Sequence, residues 1–190
     1  MAVPKKLRVF TVFVDGDNKL GKVTSFTPPK LTRKTESYRG AGMPGSASVD
    51  LGLDDGALDL SFAVGGVDRH IFAKYAAGID AVRVRFSGEY YSEEGIEYVD
   101  IEARGRIVEI DKGEAKQGED TEHTYAMKCT WYKLSVDNSD VIEIDVLNFI
   151  WRIDGNDVLP DRTRSMLGLI VKSDNRGGVL LPREKNNGSD

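Results

Sequence analysis

Cysteine occurs once in the 190 residues, at Cys129, and histidine twice, at His70 and His123. One thiol closes no intrachain disulfide, and these three scattered residues make neither a cysteine-rich metal site nor a Cys–His nucleophile. Long apolar runs are also missing. No stretch approaches the roughly 20 residues of a membrane-crossing helix, and no apolar run of signal-peptide length follows the lysines of the opening MAVPKKL. The expectation is a chain made in a cytoplasm, with no stable membrane association. There is no basic excess either: 26 Lys and Arg stand against 31 Asp and Glu, a net charge of −5. That balance argues against tight, base-reading nucleic-acid binding, which rests on cations neutralising phosphates, but leaves room for a surface that lets DNA pass. Finally, no G-x-S-x-G, Walker loop or H-E-x-x-H occurs, so an enzyme reading has no starting residue, and no cofactor is expected.

What is present is ordinary globular composition, 40% hydrophobic and 30% charged, in a length that fits one domain. Period-two alternation dominates. Leu7 to Val14 runs into the turn Asp15-Gly16-Asp17-Asn18, with a return strand expected from Lys19 to Phe26. Lys19 and Leu20 stand where a calcium loop needs an oxygen ligand and a glycine, so Asp15–Asn18 is a turn rather than a metal loop. Ala57 to Val64 puts Leu58, Leu60, Phe62 and Val64 on one face. Asp68 can cap a helix over Asp68 to Ala77, whose Ile71, Phe72 and Tyr75 would plug the end of a sheet. His70 lies off that stripe and reads as a solvated helix residue.

Three long strands follow: Ala81 to Tyr91, Ile96 to Ile110 and Thr121 to Val136. Arg83, Arg85, Arg104 and Arg106 fall on the polar face. About fourteen residues in one strand imply a tall or strongly curved sheet. Cys129 and His123 lie on the apolar face of the third strand, as a small hydrophobe and as a partly buried, hydrogen-bonded histidine. Val141 to Val146 and Phe149 to Ile153 are shorter strands, and Arg162 to Leu167 fits a turn of helix. Two carboxylate groups, Asp54 with Asp55 and Asp59, and Glu114 with Glu119, Asp120 and Glu122, sit in or beside turns and read as solvated charge. The fold class is therefore all-β, mainly an antiparallel barrel or sandwich, with one short flanking α-helix.

One region does not fit a self-contained domain. From Pro28 to Phe62 a basic strand, Lys30-Leu31-Thr32-Arg33-Lys34-Thr35, leads into the loop Gly40-Ala41-Gly42-Met43-Pro44-Gly45. Val49, Leu51 and Leu53 then alternate with Asp50, Gly52 and Asp54. Gly40, Gly42 and Gly45 spell G-x-G-x-x-G, yet a dinucleotide fingerprint needs a buried strand before it and a helix after it. An apolar edge beside a loop without a core of its own asks for a partner.

The words PKLTRKTESYRGAG, SVDLGLDDGAL, GRIVEIDKGEAKQGEDTEHTY, WYKLSVDNSDVIEIDVLN and RSMLGL, in this order, resemble the major tail tube protein of contractile-tailed bacteriophages, a family that also supplies the tube subunit of contractile bacteriocins. The resemblance covers residues 1–169, taken as a tail tube domain. Residues 170–190 depart from it, and their composition predicts a mobile C-terminal extension.

The resemblance implies homohexameric rings stacked head to tail into a tube. Its partners would be the tail sheath protein and the baseplate and tail-terminator proteins. DNA would pass only as cargo, and the location would be a virion tail assembled in the host cytoplasm. On this reading the inter-subunit contacts are expected at Lys30, Leu31, Arg33, Tyr38, Arg39, Gly40, Met43, Val49, Leu51 and Leu53. The charged loop Asp111 to Asp120 adds Lys112, Glu114, Lys116, Glu119 and Asp120. The competing readings are the tube of a contractile bacteriocin, which carries no DNA, and a monomeric β-barrel that binds a small ligand or glycan.

Overall fold

Alternating side chains want one face covered and the other wet, and the backbone pairs accordingly. A computed structural model describes residues 3–159 and 161–169. The first strands are β1 (Lys6–Val14), β2 (Asp17–Asn18), β3 (Val23–Thr27), β4 (Arg33–Tyr38), β5 (Ala47–Leu53) and β6 (Leu60–Gly65). After α1 (Arg69–Phe72) come β7 (Val82–Ser92), β8 (Gly95–Asp111), β9 (Glu122–Val136), β10 (Ser139–Asp145), β11 (Ile150–Ile153), β12 (Asn156–Asp157) and α2 (Asp161–Met166). The fold is all-β and mostly antiparallel, as the alternation predicts.

Ten strands share one sheet, ordered β12-β11-β10-β9-β8-β7-β1-β2, with β6 pairing β9 off this path and carrying β3. Strand β9 therefore has two neighbours along one edge: residues 122–127 pair with β6 and residues 131–136 with β10. Gly105 allows this branch. A Cβ on it would lie 2.1 Å from the Lys128 carbonyl oxygen, and the β8–β9 register shifts at Arg104/Gly105 and again at Ile107/Glu109. Bulges bend and twist a strand. Here the bend lets β9 leave β6 and join β10.

The sheet curls until β3 approaches β1, although no ladder joins them among the described residues. Phe26 of β3 stacks on Phe86 of β7 at 4.7 Å, and Phe86 stacks on Phe10 of β1 at 5.6 Å, so aromatic packing closes what hydrogen bonds leave open. Val12, Val14, Phe62, Val64, Val82, Val84, Ile107, Tyr125 and Met127 are fully buried inside. Ile71 of α1 joins them and Phe72 packs against this core, whereas Tyr75, expected on the same stripe, is exposed.

Several expectations are corrected. The return strand after the first turn stops at Asn18, because Lys19 turns inward, buried against Asp17 and Asp68, and β3 pairs with β6 rather than β1. The helix after Asp68 is one turn long rather than reaching Ala77: Ala76 adopts a positive φ of 60°, and Tyr75 is drawn into a bridge with Ile107. His70 is solvated as predicted, but His123 is buried with its Nδ1 lacking a hydrogen-bond partner among the described residues and its ring edge-on to Phe72. The turn of helix expected over Arg162 to Leu167 is α2, so two short helices are present among the described residues. The extension 170–190 lies outside the described residues.

Candidate assembly surfaces

The basic stretch and the Gly-rich loop build a separate two-stranded arm. Among the described residues, strands β4 and β5 pair only with each other, from Arg33↔Leu53 to Tyr38↔Ala47. Their tip is tied by Gly40, whose N–H donates to the Met43 Sδ at 3.1 Å and whose carbonyl accepts from the Met43 N–H at 3.2 Å. Two residues set the arm's root. Leu31, at a positive φ of 49°, donates its N–H to the Ala57 carbonyl and packs on the core, as does Leu53. Arg33 lies 4.2 Å above the Trp151 ring and donates from Nε to Asp50 at 3.1 Å. The Gly52 N–H, with Arg33 beside it, holds Asp50 below the usual carboxylate range.

Simple alternation predicts Val49, Leu51 and Leu53 on one edge, and the structure corrects this. Thr35 pairs with Asp50 but Lys34 with Gly52, so β5 holds one extra residue at Leu51, beside Gly52 at φ 111°. Past that bulge Leu53 turns with Arg33 toward the body. Lys34, Glu36, Tyr38, Val49 and Leu51 share the other face, where Tyr38, Val49 and Leu51 are 61%, 48% and 52% exposed. Lys30, Lys34 and Arg39 are exposed and have no acidic partner among the described residues.

The second predicted surface is the loop between β8 and β9, and every residue of 111–120 is exposed. Lys116 pairs internally with Glu114 at 3.1 Å, and Lys112 sits 5.8 Å from the Phe72 ring, which sets the loop beside α1. Glu119 and Asp120 have no cationic partner among the described residues. The arm residues form one surface and the loop residues another. The loop lies at the opposite end of β8 from the β7–β8 turn.

On the outward face of β7 and β8, Arg83 pairs with Glu102, Arg85 with Asp100 at 2.9 Å, and Arg104 with Asp80 at 3.3 Å while lying 4.7 Å from the Trp131 ring. Lys128 reaches Asp59 at 2.6 Å. Cations directly opposite one another in register, Arg83 with Arg104 and Arg106 with Lys128, are thus offset by acids from adjacent strands and loops. Cys129 is half-buried, and burial pushes its thiol up to about 12, so it behaves as a small hydrophobe.

The sequence reading missed the far end of this face. Val9, Tyr91, Ile96 and Tyr98 are exposed there. The signal was available: in Gly95–Val99 apolar residues occupy both registers of the alternation, at Ile96 and Tyr98 as well as at Val99.

An all-β body with an apolar arm held only at its root, exposed apolar side chains and strand-face arginines paired with acids fits the class of structural, self-associating proteins. Residues 4–168 match the family model described as phage tail tube protein FII. The chain is 59% identical over 169 residues to the major tail tube protein of Serratia phage KSP20, covering 89% of this chain and 99% of that one. It is 48% identical over 170 residues to the tail tube protein of Escherichia phage P2, covering 87% and 99%. The chain belongs to the phage tail tube protein FII family and is a structural subunit of a phage tail tube, not an enzyme.

Proposed function

We propose that the chain assembles into hexameric rings that stack head to tail as the inner tube of a contractile phage tail. A sheath surrounds this tube, baseplate and terminator proteins close its ends, and DNA passes through its lumen. The observation that carries this reading is the β4–β5 arm, which presents Tyr38, Val49 and Leu51 to solvent on a hairpin with almost no core of its own. A two-stranded hairpin is marginal in water, so an arm of this kind is stabilised by a surface on a neighbour. The outer edges of β3 and of β12, which no ladder pairs among the described residues, fit the same reading, because an unpaired edge is an invitation to pair. An acidic chain whose outward arginines are mostly paired with carboxylates suits a conduit that must not retain phosphates.

The test is the double variant Val49→Asp, Leu51→Asp. Each apolar side chain buried at an interface contributes about 1.5–3 kcal/mol, and the loss repeats at every subunit. The variant is expected to keep wild-type circular dichroism and to give no tubes in negative-stain images. Normal tubes from a verified variant would remove the arm from the interface.

A further inference from the structure

Resting on the tube reading, we infer that the acceptor for the arm of one copy is the far end of the β1–β7–β8 face of another. Glu89 pairs in register with both Val9 and Tyr98, and Tyr91 pairs with Ile96, so these side chains share one outward face across three strands. Val9 and Tyr98 are each 55% exposed, and Leu20 is 66% exposed beside them. Val9, Leu20, Gly88 and Tyr98 are among the residues that line a cavity of about 250 Å³. A contiguous exposed apolar surface of this kind marks an interaction site.

Charge identifies the occupant. Arg8 is committed to Glu89 at 2.8 Å and to the Tyr91 ring at 5.2 Å, and Lys5 to Glu97 at 3.4 Å. Glu93 and Glu94 on the β7–β8 turn are exposed without a cationic partner among the described residues. Lys6, exposed and opposite Tyr91, has no acidic partner among the described residues, so Glu93 and Glu94 leave the uncompensated charge of the patch negative by one. The arm's unpaired charge is mainly positive, from Lys30, Lys34 and Arg39, and Lys34 shares a face with Tyr38, Val49 and Leu51. An apolar strip edged with cations matches an apolar patch edged with acids. In this chain β4 and β5 pair with none of β1, β7 and β8, and the arm root is pinned over Trp151 of β11, so the arm assigned to the patch is that of another copy.

Chains carrying Val49→Cys and chains carrying Tyr98→Cys are to be mixed, assembled and mildly oxidised. The expected result is a disulfide-linked dimer in the tube fraction of the mixture and in neither variant alone. Tubes that form in the mixture without that dimer would overturn the docking and leave the tube reading standing. Failure of the unmutated chain to form rings or tubes would overturn both. A second arm of the test uses charge: Glu93→Lys with Glu94→Lys should raise the critical assembly concentration by about tenfold, and adding Lys34→Glu with Arg39→Glu should restore most of it. If the combined variant assembles no better than the summed defects of the two pairs, the charge match is not a contact.

Discussion

Single residues show where the fold has no slack. Gly105 has β9 backbone where a side chain would stand, so Gly105→Ala forces the branch of the sheet apart. A loss of about 3 kcal/mol or more is expected, read as a lower urea midpoint. Lys19 is held by Asp17 at 2.5 Å and Asp68 at 2.8 Å, while Asp68 also caps α1 by accepting from His70 and Ile71. Burial raises Asp68, but the Lys19 ammonium and the Ile71 and His70 N–H groups outweigh it, leaving it below its ordinary value of 3.8. A lowered folded value means that its contribution is complete above 3.8 and lost as pH falls below it. For Lys19 burial lowers and the two carboxylates raise, with a net rise above 10.5, so its share persists below 10.5 and disappears as pH climbs past it. Asp68→Asn should therefore flatten the acid limb of a stability-versus-pH curve, and Asp68→Ala should cost about 2 kcal/mol by removing the cap and the buried one of the two carboxylates that hold Lys19. An unchanged acid limb in Asp68→Asn would show that this pair does not anchor α1.

At the scale of elements, the long strands were legible because they follow one rule over many residues. Seventeen residues of β8 alternate with little interruption, and its register partners β7 and β9 do the same. What alternation could not reveal was the exceptions. The Leu51 bulge reverses Leu53, a buried lysine ends the first hairpin after two residues, and α1 stops after one turn because Tyr75 finds a bridge on β8. Each exception depends on a residue distant in sequence, and a periodicity reading sees only neighbours. The loop 111–120 was legible as charged and exposed, and its proposed role at a ring face has a measurable consequence. Exposed ion pairs contribute about 0–1 kcal/mol and are screened over about 10 Å at 0.1 M salt, so rising ionic strength should separate stacked rings before it dissociates the rings. Rings and stacks that vanish together, observed by light scattering and imaging, would remove the loop from the stacking contact.

For the whole molecule, the arm and the five motif words were readable in sequence, while the acceptor patch was readable only at Ile96 and Tyr98, since Val9 and Tyr91 join them only through register. The family match ends at residue 168, and the KSP20 relative is covered over 99% of its own length by 169 aligned residues. Removal of residues 170–190 is accordingly expected to spare both folding and tube formation, and a truncated chain that fails to fold would make the extension part of the core. The central claim is self-assembly through the arm. It is tested most directly by the mass of the purified particle in sedimentation velocity. The account predicts rings of six chains and longer stacks, and a sharp shift to the monomer in Val49→Asp, Leu51→Asp. A wild-type chain that sediments as a single 21.0 kDa monomer across the concentration range would contradict it.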